Sequence, residues 1–242
     1  MKVVVISRVS DVDRRANISS LLEGCPYEWQ FLDAYEASSI PEWFEALYDE
    51  KKSRRYRSYA LMPGEKGCFS SHVGAWLKCA ESGKPIVVLE DDCELRPDFF
   101  IKIKKIKDSA FDYVKLEKRS DGHKLDDNFM LNKKNRSGTV GYYLSPVGAV
   151  KFLAALKVIY MPIDHYIGMV WKHGVAPVGL IDKAITHNAD FDTSIQYERK
   201  KGEAVGQKNK WLRALRKLRR YVDDFKYKKF LKNYMACSVR RR

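Results

Sequence analysis

Ile86-Val87-Val88-Leu89-Glu90-Asp91-Asp92 runs four apolar residues straight into three carboxylates. The apolar half reads as a strand buried on both faces, the kind found in the parallel part of an α/β sheet. The acidic half falls where such sheets bind ligands, in the crevice beyond the carboxyl ends of their strands. Carboxylates crowded there repel one another unless a cation or hydrogen-bond donors compensate. Oxygen ligands next to phosphate suit Mg²⁺ or Mn²⁺. If the backbone stays extended, Glu90 and Asp92 share one face and Asp91 takes the other. That is a D-x-D-like element, in which one carboxylate holds a metal and a neighbour bonds a ribose. The plain alternative is an acidic turn whose Asp92 or Glu94 caps the next helix.

Working outward, the same alternation of strand and helix recurs. Lys2–Ser7 is a β-branched first strand, Asp11–Leu22 a helix, and Trp29–Ala34 a second strand. A short helix is expected over Pro41–Tyr48. Small and apolar residues at helical spacing predict a helix over Glu65–Glu81, stopped by Gly83 and Pro85. Asp98–Lys107 is helical and Tyr113–Leu116 a strand, followed by a long polar loop over Arg119–Gly138. Thr139–Ser145 is a strand, Pro146–Ile159 and Pro162–Lys172 are helices, and Val175–Ile185 is a last strand before His187. The pattern predicts an α/β domain with a mostly parallel central sheet.

Charge divides the chain. Of 45 Lys and Arg and 31 Asp and Glu, 17 bases and 3 acids lie in residues 199–242. That segment carries the whole formal excess of +14, and residues 1–198 hold 28 of each sign. The expected organisation is a neutral catalytic domain, 1–198, and a cationic tail, 199–242. In the tail, Trp211, Leu215, Leu218, Val222 and Phe225 fall on one helical face backed by Arg and Lys. A basic amphipathic helix of this kind suits an anionic membrane surface, here through residues 208–232. A stripe packed on the body, a dimer contact or a nucleic-acid-binding arm are the other readings. The five cysteines form no close pair, so a reducing, cytoplasmic protein with free thiols is expected. No stretch approaches the roughly 20 apolar residues of a membrane span, and Met1–Ile6 is too short for a signal peptide.

Four motifs, the acidic triplet's among them, stand in order. They are Gly64-Glu65-Lys66-Gly67-Cys68-Phe69-Ser70-Ser71-His72, Val88–Asp92, Gly138-Thr139-Val140-Gly141-Tyr142-Tyr143-Leu144-Ser145-Pro146-Val147-Gly148-Ala149, and Pro162-Ile163-Asp164. Together they resemble glycosyltransferase family 25, with Lys66 and Phe69-Ser70 departing from the family's usual residues. The resemblance covers the chain from Val3 to about residue 197. It implies a GT-A-type nucleotide-sugar-binding fold, a divalent metal (Mn²⁺ or Mg²⁺) and a UDP-sugar co-substrate. It further implies an inverting, metal-dependent galactosyltransferase that moves galactose from UDP-galactose to a hydroxyl of the lipooligosaccharide outer core, in β-1,4 linkage. UDP-glucose and UDP-N-acetylglucosamine are alternative donors, and a non-enzymatic nucleic-acid binder acting through the tail is the alternative of another class. The enzyme would sit on the inner face of the bacterial inner membrane, where a lipid-linked oligosaccharide acceptor is found, with no specific nucleic acid as partner.

On this reading Asp92, Glu90 and His187 are the metal ligands. Ser7, Arg8, Arg15, Ser71, His72, Glu90 and Asp91 are candidates to contact the nucleotide. Arginines after the first strand would suit a diphosphate or a uracil edge. Asp164 is the candidate base that takes the acceptor proton, with Asp190 and Asp192 as rivals. Each has a structural counterpart: Asp164 as an N-cap or first-turn acid of a helix, His187 as a loop residue, His72 as a satisfied core histidine.

Overall fold

The computed structural model describes residues 1–117, 121–134, 138–188, 191 and 210–239. On one flank of its main sheet, β1 (Lys2–Ser7) lies between the edge strand β2 (Trp29–Asp33) and β3 (Ile86–Glu90), and both pairings are parallel. Side chains alternate across these strands. Val4, Ile6 and Val88 enter one core, and Val3, Val5, Val87 and Leu89 enter the other. The first core is filled by α4 (Pro63–Ser82), through Phe69, Val73 and Trp76, and by Phe152 of α6 (Pro146–Ala155). The second is filled by Ile18 of α1 (Val12–Leu21) and by Phe99, Ile103 and Ile106 of α5 (Phe99–Lys107). Each of these side chains removed from water contributes roughly 2 kcal/mol.

Beyond β3 the sheet continues through β8 (Gly141–Leu144), β5 (Tyr113–Lys115), β9 (Val178–Leu180), β7 (Phe129–Asn132) and β6 (Gly122–Lys124). The order is β2-β1-β3-β8-β5-β9-β7-β6. Only the β2-β1-β3 flank and the β5–β9 pair are parallel; the β3–β8, β5–β8, β6–β7 and β7–β9 junctions are antiparallel. The mostly parallel expectation thus describes the flank that carries the acidic triplet, and the sheet as a whole is mixed. Between β5 and β8 the described residues hold the β6–β7 hairpin and no helix. Without a crossover helix, neighbouring strands fold back antiparallel.

Several local readings are also refined. The single strand expected over Val175–Ile185 is two, β9 and β10 (Ile185–His187), and β10 pairs antiparallel with β4 (Cys93–Leu95) in a separate small sheet. The helix expected over Pro162–Lys172 is broken into α7 (Ile163–Ile167) and α8 (Val170–His173). The short helix of the forties is α2 (Glu42–Leu47), and the charged run after it forms α3 (Glu50–Arg57). Asp49 caps α3, its carboxylate accepting from the Lys52 N–H at 2.8 Å. Helix α4 ends at Gly83, in the left-handed conformation with φ +61°. Gly67 is required by contact: a Cβ there would collide with the Tyr35 carbonyl.

The last helix, α9 (Lys210–Val239), is joined to the body. Tyr227 and Leu231 are buried in the second core, with Phe230, Tyr234 and Met235 packed around them. The Tyr227 hydroxyl donates to the Asn132 carbonyl at 2.8 Å, and the Arg219 guanidinium lies 3.5 Å above the Tyr56 ring. The segment read as an appendage therefore uses one side to dock. Its other side presents Leu218, Tyr221, Val222 and Phe225 to solvent, with Tyr221 75% and Phe225 68% exposed. The side chains of Trp211 and Leu215, the first members of the expected stripe, lie outside the described residues. Among the described residues no helix is long and apolar enough to cross a membrane.

Candidate active site

Strand β3 stops at Glu90, and the chain turns at Asp91-Asp92 before β4 begins. The extended alternation expected for the triplet therefore ends after its first residue, and the three carboxylates take three directions. Glu90 points toward α4. Its Oε1 accepts from the Thr139 hydroxyl and meets His72 Nε2 at 3.2 Å. The other His72 nitrogen is 2.9 Å from the Tyr142 hydroxyl, which also accepts from Trp76 Nε1 at 2.9 Å. Burial pushes the Glu90 carboxyl up, but the hydrogen bond and charge of His72 and the bond from Thr139 outweigh it, and the net shift is downward. Cys68, His72 and Glu90 bring one ligand atom each within 4.8 Å. Because both His72 nitrogens already have partners, we read this group as a hydrogen-bond network supporting the strand end.

Asp91 points toward the first strand. It is buried, hydrogen-bonded by Ser7 and paired with Arg14 at 3.2 Å. Burial raises its pKa even so. Arg14 also lies 5.1 Å from the centre of the Phe191 ring. Sequence reasoning chose Arg15 from the Arg14-Arg15 pair, and the helix turns that choice round. Arg15 bonds the carbonyls of Ser7 and Arg8 at 2.9 and 3.0 Å, pairs with Asp33 and covers Phe31. Arg8 is held by both Asp11 oxygens at 2.8 and 2.9 Å. These two arginines fasten the β1–α1 connection, whereas Arg14 faces the acidic turn. Helical phase was the available signal, since adjacent residues point about 100° apart.

Asp92 carries the decisive geometry. The β4–β10 register sets His187 opposite Cys93, which brings His187 Nε2 to 3.2 Å from Asp92 Oδ2. The Asp92 carbonyl accepts from the Asn188 N–H at 2.7 Å. Asp92 Oδ1 is buried and has no hydrogen-bond partner among the described residues. Burial first, and then the charges of Glu90 and Asp91, push this carboxyl up to about 7 against the pull of His187 and Arg14. An orphaned buried carboxylate oxygen costs about 1–3 kcal/mol or more unless something occupies its lone pairs. A carboxylate and an imidazole side by side at a strand end fit a divalent cation such as Mn²⁺. Glu90, expected to share that cation, has Oε1 engaged with His72 and Thr139 instead.

Asp164 is buried in the first turn of α7, its Oδ1 accepting the His165 N–H at 2.8 Å. The residue at the N-cap position is Pro162, so Asp164 is not the capping residue. It lines a narrow cavity of about 40 Å³ with Lys115, Lys134, Gly138 and Tyr227. Its charge is felt at Glu90, which places it near the acidic turn. Ser71 is fully buried, donating to the Gly67 carbonyl at 2.8 Å and accepting from the Tyr35 N–H at 2.9 Å. Ser71 and His72 thus lie beneath the site rather than in it. Asp190 and Asp192 lie outside the described residues. That the buried Lys115 and the exposed Lys134 line the cavity beside Asp164 has no signal in the sequence, where both read as ordinary surface lysines.

The fold and site define a mixed α/β protein with a carboxylate-and-imidazole centre at the carboxyl ends of its parallel strands. Residues 1–167 match the family described as glycosyltransferase family 25 (LPS biosynthesis protein), and the chain belongs to that family. It is 26% identical over 192 residues to the lipooligosaccharide biosynthesis protein lex-1 of Haemophilus influenzae, a match covering 62% of each chain. It is 27% identical over 128 residues to glycosyltransferase 25 family members of Drosophila pseudoobscura pseudoobscura and Drosophila melanogaster. Those matches cover 48% of this chain but only 20% and 21% of the insect proteins.

Proposed function

We propose that this chain transfers a hexosyl group, galactose in the first instance, from a UDP-sugar to a hydroxyl of a lipooligosaccharide outer core, with inversion and in β-1,4 linkage. The observation that carries the reading is the unpartnered Asp92 oxygen beside His187 at the end of the parallel strands. Asp92 and His187 would hold the divalent cation, Mn²⁺ or Mg²⁺. That ion, when bound, supplies Lewis-acid stabilisation of charge on the departing diphosphate. Asp91, which Ser7 and Arg14 orient, would accept a hydrogen bond from a ribose hydroxyl. Asp164 is the base that takes the proton of the attacking acceptor hydroxyl. The hydrogen-bonded column of Trp76, Tyr142, His72 and Glu90 keeps the strand end rigid beneath these groups.

The exposed stripe of α9 adds a location to this reading. Leu218, Tyr221, Val222 and Phe225 stand beside the exposed Lys217, Lys228 and Lys229. Apolar residues flanked by cations match an anionic bilayer surface, at about 1 kcal/mol per basic residue. The enzyme would lie on the inner face of the bacterial inner membrane, with its lipid-linked acceptor.

The test is a donor panel. The protein is incubated with Mn²⁺, a saccharide acceptor, and UDP-galactose, UDP-glucose or UDP-N-acetylglucosamine, and the products are weighed by mass spectrometry. A hexose adduct with UDP-galactose is expected. An adduct with another donor alone would reassign the sugar, and no adduct with any donor would refute the transferase.

A further inference from the structure

Between α9 and the body lies a second cavity, of about 330 Å³, at the lower end of ligand-pocket volumes. Its walls include Tyr59, Trp171, Arg57, Arg216, Arg219 and Arg220. Two of the four guanidiniums are already neutralised. Arg57 pairs with Glu65 at 2.6 Å, and Arg219, stacked on Tyr56, lies 3.6 Å from Asp223. Among the described residues Arg216 donates to a neutral acceptor, the Arg57 carbonyl, at 3.1 Å, and makes no ion pair. Arg220, one helical turn further on the same side, makes no ion pair among the described residues. The remaining acid at the cavity, Asp224, is exposed. The cavity thus offers two uncompensated guanidiniums beside a half-buried indole. Planar forks of this kind recognise phosphate or carboxylate, and aromatic walls suit the apolar face of a sugar ring. The position also fits. His165 lines the cavity next to Asp164, and Tyr227 lines both this space and the narrow one that contains Asp164.

We propose that this cavity is the acceptor subsite and that it takes a saccharide bearing an anionic group, phosphate or carboxylate, held by Arg216 and Arg220 with its ring against Trp171. The assignment rests on the transferase reading for the word acceptor, but the binding it asserts does not. One helix would then present its apolar side to the bilayer and its arginines to the sugar.

The experiment is calorimetric titration of the full chain with a hexose 6-phosphate, with the same free hexose, and with inorganic phosphate. The hexose phosphate should bind at least tenfold tighter than either of the others. The double variant Arg216→Gln/Arg220→Gln should lose that affinity tenfold or more at an unchanged melting temperature, and Arg216→Lys/Arg220→Lys should retain part of it. Trp171→Phe should keep the phosphate preference. Equal affinity for the free hexose would overturn the anion assignment, and equal affinity for inorganic phosphate would overturn the saccharide. Displacement of the hexose phosphate by phosphatidylglycerol vesicles would assign the arginines to lipid headgroups instead. None of these outcomes depends on transfer, so a donor panel without products would remove the enzyme reading and leave the binding result to stand or fall alone.

Discussion

The acidic turn and the C-terminal helix depart from ordinary burial in opposite directions. At the turn, polar atoms lie inside a body with no net charge: Asp91 and Asp92 are both buried, and Asp92 keeps one oxygen without a hydrogen-bond partner among the described residues. On α9, apolar side chains lie outside on the most basic segment of the chain. Buried polar groups and exposed apolar patches are the informative exceptions to globular packing. On the function proposed above, each would be met by something that binds there, a small hard cation at the first and an extended anionic surface at the second. The difference teaches that the excess charge and the buried carboxylates belong to separate parts of the chain, so that, on the proposed function, the first would hold the protein in place and the second would carry its chemistry.

This contrast can be broken at either end. The largest effect is expected at the turn. Asp92→Ala should lower transfer by on the order of 10³-fold with the fold intact, because it removes a proposed ligand of the cation that would stabilise charge on the departing diphosphate. Full activity in that variant, measured by product formation under saturating donor, would make the turn an acidic loop and nothing more. At the helix, Leu218→Asp with Phe225→Asp should weaken binding to phosphatidylglycerol vesicles by on the order of 100-fold, since two exposed side chains each contribute about 1.5–3 kcal/mol on burial. Unchanged sedimentation with vesicles would remove the membrane side of the comparison. A smaller effect separates burial from function at Asp92 itself. Its carboxyl titrates near 7 when folded, against about 3.9 in an unfolded chain. Between these values the folded state binds the extra proton, so stability is lost as pH rises from about 4 to about 7. Without added cation, Asp92→Asn should therefore be more stable than the parent by about 2 kcal/mol at pH 8 and no more stable at pH 4. Urea unfolding at the two pH values measures it, and a pH-independent difference would show that the Asp92 carboxyl is not held in the buried, proton-favouring surroundings described.

The parts of this comparison that were legible in the sequence are those fixed by local pattern. The strand Ile86–Glu90, helix α4 with its Gly83 stop, and the exposed face of the tail follow from periodicity and from stop residues. The pairing of Asp92 with His187 follows only in part. Both residues stand out in the sequence, but the β4–β10 register that joins them links segments some ninety positions apart. The turn after Glu90 was one of two readings of the triplet, and local pattern alone did not decide between it and an extended backbone. For the same reason Ser71 and His72 looked like ligand contacts: serine and histidine on a helix give no sign of which face is buried until the helix is packed. The docking side of α9 was missed because Tyr227 and Leu231 lie beyond the clearest part of the repeat, among lysines that hid them.

The central claim is that Asp92 and His187 form a cation site at the end of the parallel strands. Titration of Mn²⁺ in the presence of UDP, followed by the paramagnetic resonance signal of the free ion, tests it most directly. The account predicts one bound Mn²⁺ per chain, with affinity rising as pH increases through about 7 and lost tenfold or more in Asp92→Asn and in His187→Ala. Equal Mn²⁺ binding by the parent and both variants would contradict it.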